Sequence, residues 1–253
     1  MSPKVSVIIC TYNRAEYLPV AIKSVLAQTF NDYEIIIVDD ASNDNTENLV
    51  KPYMVEKSNI KYYKNEQNLG ISKSRNKAVN LATGEYIAML DSDDYWTDKN
   101  KLQKQTDILE KDSSIGLVGS SILTVRKNKS KIKEIFYNTN DKDIRENILV
   151  KNQFAQSSIL FRKNIFTEVG GYNENYEVAE DLDLWLRIGK KYKFANLKET
   201  TVAYMMHSAG ISKIKRKKMA KTIDEIIEKN KNNYPNYWKA KIISFFRILR
   251  SNL

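Results

Sequence analysis

The stretch Lys4-Val-Ser-Val-Ile-Ile-Cys10 predicts a short β-strand, because its apolar residues run almost without interruption and lack helical spacing. Such a run is typical of a strand that is buried on both faces of a parallel sheet. The polar loop Thr11-Tyr-Asn-Arg14 follows it directly, and residues 15–28 then carry apolar side chains at helical spacing. The chain therefore begins with a predicted strand, loop and helix.

The same alternation continues to residue 110. Predicted strands cover residues 34–38, 60–63 and 85–90, and predicted helices cover residues 45–57, 71–82 and 99–110. Strands separated by helices favour a parallel sheet with right-handed crossovers, so the loops after the strands share one edge, where ligands bind. We expect an α/β fold with a mostly parallel central sheet flanked by helices.

The pattern is less regular after residue 110. Strands are predicted at residues 115–125, 157–161 and 201–206, with a charged turn at residues 126–133 and a helix at residues 181–190. No internal repeat and no linker rich in proline or glycine interrupts residues 1–212. We therefore expect one continuous domain there.

Charge separates this domain from the end of the chain. Residues 213–253 contain twelve Lys or Arg against three acids, so they hold +9 of the net charge of +10. A helix over residues 236–250 would carry one apolar face, formed by Trp238, Ile242, Phe245, Phe246 and Leu249. Lys239, Lys241 and Arg250 would flank that face, a pattern typical of a helix on an anionic membrane surface. Packing on the domain or on a second subunit is the alternative; nucleic acid is not expected, because no module that reads it is present.

Several classes of protein are excluded. The apolar runs are far shorter than the ~20 residues of a membrane-spanning helix, and the N-terminal residues do not form a secretory leader, so we expect a cytoplasmic protein. The sequence contains neither a Walker loop nor a Gly-x-Gly-x-x-Gly motif, which argues against nucleotide triphosphatases and dehydrogenases.

Carboxylates gather at the predicted strand ends. Asp39 and Asp40 follow the second strand, where ionised oxygens can accept hydrogen bonds from a ribose or a base, although turn and helix-cap roles are the alternative. Asp91-Ser-Asp-Asp94 packs three carboxylates into four residues, and a divalent cation would relieve their repulsion. Mn²⁺ or Mg²⁺ suits such ligands together with phosphate oxygens. A nucleotide is therefore the predicted ligand.

Two further motifs carry candidate chemistry. Asn68-Leu-Gly70 turns into a helix that contains Arg75, where N–H groups and a guanidinium could bind a phosphate. Glu180-Asp181 starts another helix and could supply a general base, although capping alone would also explain Asp181. Structural roles are the alternatives for Trp185 and for His207, the single histidine.

Taken together, these motifs strongly resemble glycosyltransferase family 2 over residues 4–212. The motifs that carry the resemblance are residues 5–14, the loop after Asp39, Asn68-Leu-Gly70 with Arg75, residues 90–94, Gly170-Gly-Tyr172, Glu180-Asp181, and His207 with Ser212. The resemblance implies a GT-A fold in which residues 1–98 bind a nucleotide-sugar and residues 99–212 bind an acceptor. Residues 213–253 form the basic helical appendage.

The resemblance also implies roles for single residues. The residues that it places around the nucleotide-sugar are Thr11, Tyr12, Arg14, Asn68, Gly70 and Ser92, with Asp39 and Arg75 near the nucleobase and Asp91 near the ribose. It places Asp93 and His207 at the metal. It makes Asp181, beside Glu180, the catalytic base, and it places Trp185 and Ser212 at the acceptor or on a closing loop. The implied activity is inverting, metal-dependent transfer of a sugar from a nucleotide-sugar, with UDP as the expected nucleotide, to a glycan or a lipid-linked acceptor. The membrane-surface interpretation of the appendage would place the enzyme at the inner face of the cell membrane.

Two other functions stay open at this point. A sugar-1-phosphate nucleotidyltransferase would need a glycine-rich loop after the first strand, whereas residues 11–15 contain no glycine. A non-catalytic basic binding module would need neither the acidic loop nor Glu180-Asp181. The sequence does not determine the donor sugar or the oligomeric state, and a homo-oligomer is compatible with it.

Overall fold

A computed structural model of the chain describes residues 2–126, 130–206 and 215–251. The strands are β1 (Val5–Thr11), β2 (Tyr33–Asp39), β3 (Ile60–Lys64), β4 (Tyr86–Met89), β5 (Tyr95–Trp96), β6 (Ile115–Val125), β7 (Lys131–Ile135), β8 (Leu160–Arg162) and β9 (Lys193–Met205). The helices are α1 (Leu18–Leu26), α2 (Thr46–Glu56), α3 (Ile71–Leu81), α4 (Lys101–Lys111), α5 (Asp141–Asn147), α6 (Lys163–Glu168), α7 (Glu180–Gly189), α8 (Arg216–Lys229) and α9 (Tyr237–Ser251). The described strands form one sheet in the order β3-β2-β1-β4-β8-β6-β9-β5, with β7 beside β6.

The first four strands are parallel, as predicted. β1 pairs with β2 and β4, and β2 pairs with β3. Alternate residues of β1 enter different parts of the core: Ile8 lies in a cluster with residues of α3 and α7, and Ile9 lies in a cluster with residues of α1 and α4. Helices cover both faces, which is why every position of β1 is buried.

The second half of the sheet mixes both directions. β8 is antiparallel to β4 and β6, and β9 is parallel to β6 but antiparallel to β5. The sheet therefore runs without a break through both predicted halves of the domain. The predicted α/β fold is confirmed, with parallel pairing among β1–β4 and between β6 and β9.

Three predictions for this half were wrong in detail. The charged turn at residues 126–133 ends earlier, because β7 pairs with β6 from Lys131 onward; β7 has only this one neighbour among the described residues, and lysines are common on such edge strands. The strand predicted at 157–161 is a 3₁₀ turn, Gln156–Ser158, followed by β8. The strand predicted at 201–206 begins earlier, at Lys193. The short helices α5 and α6 were not predicted, because one or two turns give no clear apolar period.

The basic appendage is helical, as predicted, and packs on the domain by one side. Ile226, Ile227 and Ala240 join the main core, and the Tyr234 hydroxyl donates to the Leu186 carbonyl at 2.8 Å. The predicted apolar face of α9 points outward, and its Trp238 is 76% exposed. None of the helices in the described part of the chain has the length and apolar character needed to cross a membrane.

Candidate active site

The loops after β1, β2 and β4 lie at one edge of the sheet. Thr11 is opposite Asp39 in the β1–β2 pairing, and Ile8 is opposite Met89 in the β1–β4 pairing. Parallel strands end at the same edge, so the polar residues that follow all three are brought together. This is the edge at which the sequence predicts a ligand.

Hydrogen bonds tie the loop after β1 to the loop after β2. The Asn13 N–H donates to Ser42 Oγ at 2.8 Å, and the Asn43 N–H donates to Asn13 Oδ1 at 2.9 Å. Thr11 is buried, and its hydroxyl makes no hydrogen bond within the described structure, whereas Tyr12 is 45% exposed. The two residues thus offer a buried hydroxyl and an open aromatic ring at the sheet edge.

Asp39 is fully buried and already held by the protein. Its Oδ1 accepts from the Ser42 N–H at 2.8 Å, and its Oδ2 accepts from the Tyr62 hydroxyl at 2.5 Å. Burial, together with this carboxylate, raises the pKa of Tyr62. Each carboxylate oxygen has a second lone pair, so a ligand donor could still be accepted.

Asp40 holds the turn that precedes α3. Its carboxylate accepts from the Leu69 N–H at 2.8 Å and from the Gly70 N–H at 2.9 Å, and Asn68 Nδ2 donates to the Asp40 carbonyl at 3.3 Å. Gly70 has a φ of 86°, which strains any residue with a Cβ. Asp40 therefore has the turn role that the sequence analysis gave as the alternative for Asp39 and Asp40. It stabilises the turn before α3, however, and not the start of α2.

Arg75 links the loop after β4 to α7. Its Nη2 lies 2.6 Å from Asp91 Oδ1, and its Nη1 lies 2.5 Å from Glu180 Oε1. The guanidinium is buried, stands 5.6 Å from the Tyr172 ring centroid, and leaves Nε without a hydrogen-bond partner in the described structure. The resemblance grouped Arg75 with Asp39 near the base, yet the ion pairs of Arg75 are with Asp91 and Glu180.

The acidic loop after β4, residues 91–94, contains one buried carboxylate, Asp94, and two partly exposed carboxylates, Asp91 and Asp93. Asp94 is buried: its Oδ2 accepts from the Ser157 hydroxyl and its Oδ1 from the Met205 N–H at 2.8 Å. Burial raises the pKa of Asp94 well above the usual range of a carboxyl group. Ser157 Oγ also accepts from the Asp91 N–H at 3.0 Å. Asp94 thus fixes the loop to the second half of the sheet, and Ser92 is buried within it.

The partly exposed carboxylates of Asp91 and Asp93 are suitable ligands for Mg²⁺ or Mn²⁺. The Asp91 and Asp93 side chains are 29% and 24% exposed, and Asp93 Oδ2 lies 3.7 Å from Arg14 Nε. Within the described residues no cluster of three His, Cys, Asp or Glu could hold an ion by itself. Two carboxylates still fit, because these ions are usually bound by one or two carboxylates together with phosphate oxygens and waters.

Asp181 lies at the start of α7, beside Glu180. Its Oδ1 accepts from the Leu182 N–H at 2.8 Å and its Oδ2 from Asn152 Nδ2 at 3.1 Å. The preceding residue, Ala179, has a φ of 57°, an unusual value for alanine that sets the direction of the helix start. Burial, and then the neighbouring charge of Glu180, raise the pKa of Asp181 to about 7. A carboxylate with this pKa is suited to accept a proton near neutral pH.

A cavity of about 170 Å³ lies beside Asp181. Its walls come from residues 149–152, from the start of α7, and from both helices of the appendage, which contribute Met219, Ile223 and Arg247. The appendage therefore forms one side of the space that Asp181 faces.

The structure does not place the remaining predicted residues at the site. Trp185 is fully buried, with its ring 6.2 Å from that of Phe154, so its predicted place at the acceptor is corrected to a place in the core. α7 is apolar on the face that carries Trp185, and the core encloses that face. His207 and Ser212 lie outside the described residues.

Sequence reasoning missed three contributors to the site. Asn152 and Ser157 hold Asp181 and the acidic loop from segments without a recognisable motif. Arg247 entered the sequence analysis only as one of the twelve Lys and Arg of residues 213–253. No local pattern marks these residues, because their neighbours at the site are distant in sequence.

Comparison with known proteins identifies the family. The glycosyl transferase family 2 model matches residues 6–214, and the chain belongs to this family. An uncharacterized glycosyltransferase of Methanocaldococcus jannaschii is 34% identical over 94% of this chain and 85% of its own length. An O-antigen biosynthesis glycosyltransferase of Escherichia coli is 29% identical over 83% of this chain and 82% of its own length.

Solved structures agree on the fold. S. aureus TarS in complex with UDP-GlcNAc has a TM-score of 0.71 at 21% identity, covering 98% of this chain and 72% of that one. The Pyrobaculum calidifontis mannosyltransferase in complex with GDP-Man and Mn²⁺ has a TM-score of 0.73 at 18% identity, covering 100% of this chain and 74% of that one. The fold is therefore that of the GT-A glycosyltransferases, as the resemblance implied.

Proposed function

We propose that this glycosyltransferase transfers a sugar from a nucleotide-sugar to an acceptor hydroxyl with inversion, and that Asp181 is the general base. The observation that carries the proposal is the Asp181 carboxylate, which faces a cavity and has a pKa raised to about 7 by burial and by Glu180. Glu180 is held by Arg75 at 2.5 Å, so it positions the helix start and leaves Asp181 as the proton acceptor.

The reaction requires one proton transfer and one displacement. The acceptor oxygen attacks the anomeric carbon as Asp181 takes its proton, and the bond from that carbon to the diphosphate breaks. A single displacement without a covalent intermediate inverts the configuration. Base catalysis of this kind contributes roughly 10²–10⁴-fold to the rate.

The donor side is proposed to lie over residues 1–98. Thr11, Tyr12 and Asp39 offer hydroxyl, ring and carboxylate groups at the sheet edge for a nucleoside, and the 68–70 turn presents α3 toward a phosphate. The TarS structure with UDP-GlcNAc supports UDP as the first nucleotide to test.

Asp93, with Asp91 beside it and His207 as a predicted ligand, would hold Mn²⁺ or Mg²⁺. A bound divalent cation stabilises the negative charge that develops on the leaving diphosphate. The Mn²⁺ in the mannosyltransferase complex supports this assignment. Arg14, 3.7 Å from Asp93, adds a fixed positive charge from the protein itself.

The acceptor is proposed to be a glycan or lipid-linked glycan at the inner face of the cell membrane, consistent with the O-antigen relative. The outward face of α9, with Trp238 and Phe245 more than half exposed, would enter the lipid headgroup region. The net charge of +9 on residues 213–253 favours anionic lipids. Flotation on anionic vesicles should decrease in Trp238→Ser/Phe245→Ser, and unchanged flotation would contradict membrane binding.

A donor screen tests the central proposal. Calorimetric titrations with UDP, GDP, dTDP and CMP, each with Mn²⁺ and with EDTA, should show binding of one nucleotide that depends on the metal. Asp93→Asn should lose the metal-dependent part, whereas Asp181→Asn should keep it. Absence of binding by every nucleotide would contradict the proposed function.

A further inference from the structure

The cavity beside Asp181 has a mixed lining that includes three charged side chains, Lys151, Asp181 and Arg247. Leu149, Val150 and Leu182 provide apolar wall from the domain, and Met219 and Ile223 provide it from α8. Arg247 of α9 lines the same cavity. A space of this kind suits a ligand with an apolar chain and an anionic group.

Arg247 faces the protein, not the outer apolar stripe. Nine residues separate it from Trp238, which at ~100° per residue puts the two on opposite sides of α9. Arg247 is accordingly half-buried, whereas Trp238 is exposed. The helix therefore presents two distinct surfaces, one outward and one toward Asp181.

No carboxylate of the described residues pairs with Arg247. The acids of the neighbouring helix are engaged by lysines: Lys241 with Asp224 at 2.8 Å, Lys229 with Glu225 at 2.6 Å, and Lys231 with Glu228 at 3.2 Å. Burial without a counter-ion lowers the pKa of Arg247. A half-buried guanidinium without an anion is costly, and a bound anion would offset that cost.

We propose that this cavity is an acceptor subsite, built jointly by the domain and the appendage, in which Arg247 binds a phosphate ester attached to an apolar chain. The inference rests on the proposed function, since it takes Asp181 to be the base that meets the acceptor. The chain would lie along the wall formed by Met219, Ile223 and Leu149, and the attached sugar would present its hydroxyl to Asp181.

A binding experiment on the full chain tests this without a known acceptor. The probes are a short isoprenyl phosphate, the matching isoprenyl alcohol, inorganic phosphate and glucuronate, titrated by calorimetry. The wild-type chain should bind the isoprenyl phosphate at least about ten-fold more tightly than any other probe, because a hydrogen-bonded charge pair contributes of that order.

Arg247→Met should weaken isoprenyl phosphate binding about ten-fold or more, and Arg247→Lys should retain part of it. Arg250→Met is the matched control, because it removes the same charge from an exposed position of α9 outside the cavity lining; its affinity should stay within about two-fold. Equal losses in the two Met variants, no loss in Arg247→Met, or glucuronate or inorganic phosphate binding as tightly as the isoprenyl phosphate would overturn the proposal.

Donor binding in the same samples separates this inference from the proposed function. Arg247→Met should bind the nucleotide with Mn²⁺ as the wild type does. Loss of isoprenyl phosphate binding with intact nucleotide binding assigns the effect to the subsite. Wild-type protein that binds the isoprenyl phosphate but no nucleotide would contradict the proposed function and leave the anion subsite standing. If Arg247→Met does not fold, Arg247→Lys and Arg250→Met still provide the comparison.

Discussion

The two sides of the site differ in how their charges are satisfied. On the proposed donor side, Asp39, Asp40 and Asp94 each accept a hydrogen bond from a backbone N–H group, and Arg75 lies between two carboxylates. On the proposed acceptor side, Asp181 has a raised pKa, and Arg247 has no counter-ion among the described residues. The charged groups of the proposed donor side are thus already paired within the protein. On the proposed acceptor side, a bound substrate would supply a hydroxyl group to Asp181 and an anion to Arg247. Similar side chains acquire different roles because their surroundings differ.

Asp181→Asn should have the largest effect on activity. The amide keeps the shape of the side chain but cannot take a proton, so sugar transfer should fall by roughly 10²–10⁴-fold. Nucleotide affinity should stay within about two-fold, because the change lies on the acceptor side. Single-turnover incorporation of labelled sugar into a membrane lipid extract, with parallel nucleotide titrations, measures both; an equal loss of rate and affinity contradicts the assignment.

Arg75→Met should have the largest effect on stability. It leaves Asp91 and Glu180 as uncompensated charges in a largely buried place, which costs about 3–5 kcal/mol of unfolding free energy. Arg247→Met removes a half-buried cation that has no counter-ion among the described residues, so the free energy of unfolding should stay the same or rise slightly. Urea unfolding of both variants tests the difference between the two sides, and similar losses would contradict it.

Asp40→Asn should destabilise the donor side more modestly. The amide oxygen can replace only one of the two carboxylate oxygens that hold the N–H groups of Leu69 and Gly70, so about 1–3 kcal/mol should be lost. Nucleotide affinity should fall as well, because the turn before α3 loosens. A melting curve and a titration check this, with exposed Asp32→Asn as the control that should behave as wild type.

The pH dependence of transfer should follow Asp181. The base acts only when deprotonated, so kcat/KM should rise with pH and level off above about 7. Below that value the rate should fall about ten-fold per pH unit. A profile that is flat from pH 5.5 to 8, with nucleotide binding constant over the same range, would remove Asp181 from this role.

A small expected effect on stability has the opposite sign from that of Asp40→Asn. Because the pKa of Asp181 is raised from 3.8 to about 7 in the folded chain, the folded state holds a proton that the unfolded chain has lost between these values. The free energy of unfolding therefore falls as pH rises through this window. The amide of Asp181→Asn does not titrate, so this variant avoids the pH-dependent fall in the free energy of unfolding. It should therefore be more stable than the wild type by about 1 kcal/mol at pH 7.5. Urea titrations of both proteins at pH 5 and 7.5 measure it; a gain that is equal at both pH values would contradict the linkage.

Much of the fold followed from local patterns. β1 to β4 and α1 to α4 were predicted because each spans several periods of its apolar pattern, and their alternation specified a parallel sheet. α5, α6 and the two-residue β5 were not, since their existence depends on neighbours that are remote in sequence. β7 was not predicted, because its lysines made the segment resemble a charged turn; an edge strand tolerates such lysines.

The candidate site was predicted less completely. Acidic residues at strand ends were visible, but the sequence could not distinguish Asp94, which is buried beneath the loop, from Asp93, which stays partly exposed. Trp185 illustrates the same limit: a position on an amphipathic helix does not say whether the side chain faces a ligand or the core.

The sequence by itself determined the order of β1–β4 and α1–α4, the acids that follow the strands and the family to which the chain belongs, because these are properties of neighbouring residues. Only the tertiary structure decided that Arg75 bridges Asp91, 16 residues away, and Glu180, 105 residues away. It also decided that Arg247 shares a cavity with Asp181. Such contacts depend on how helices pack across the sheet, and no local pattern encodes that packing.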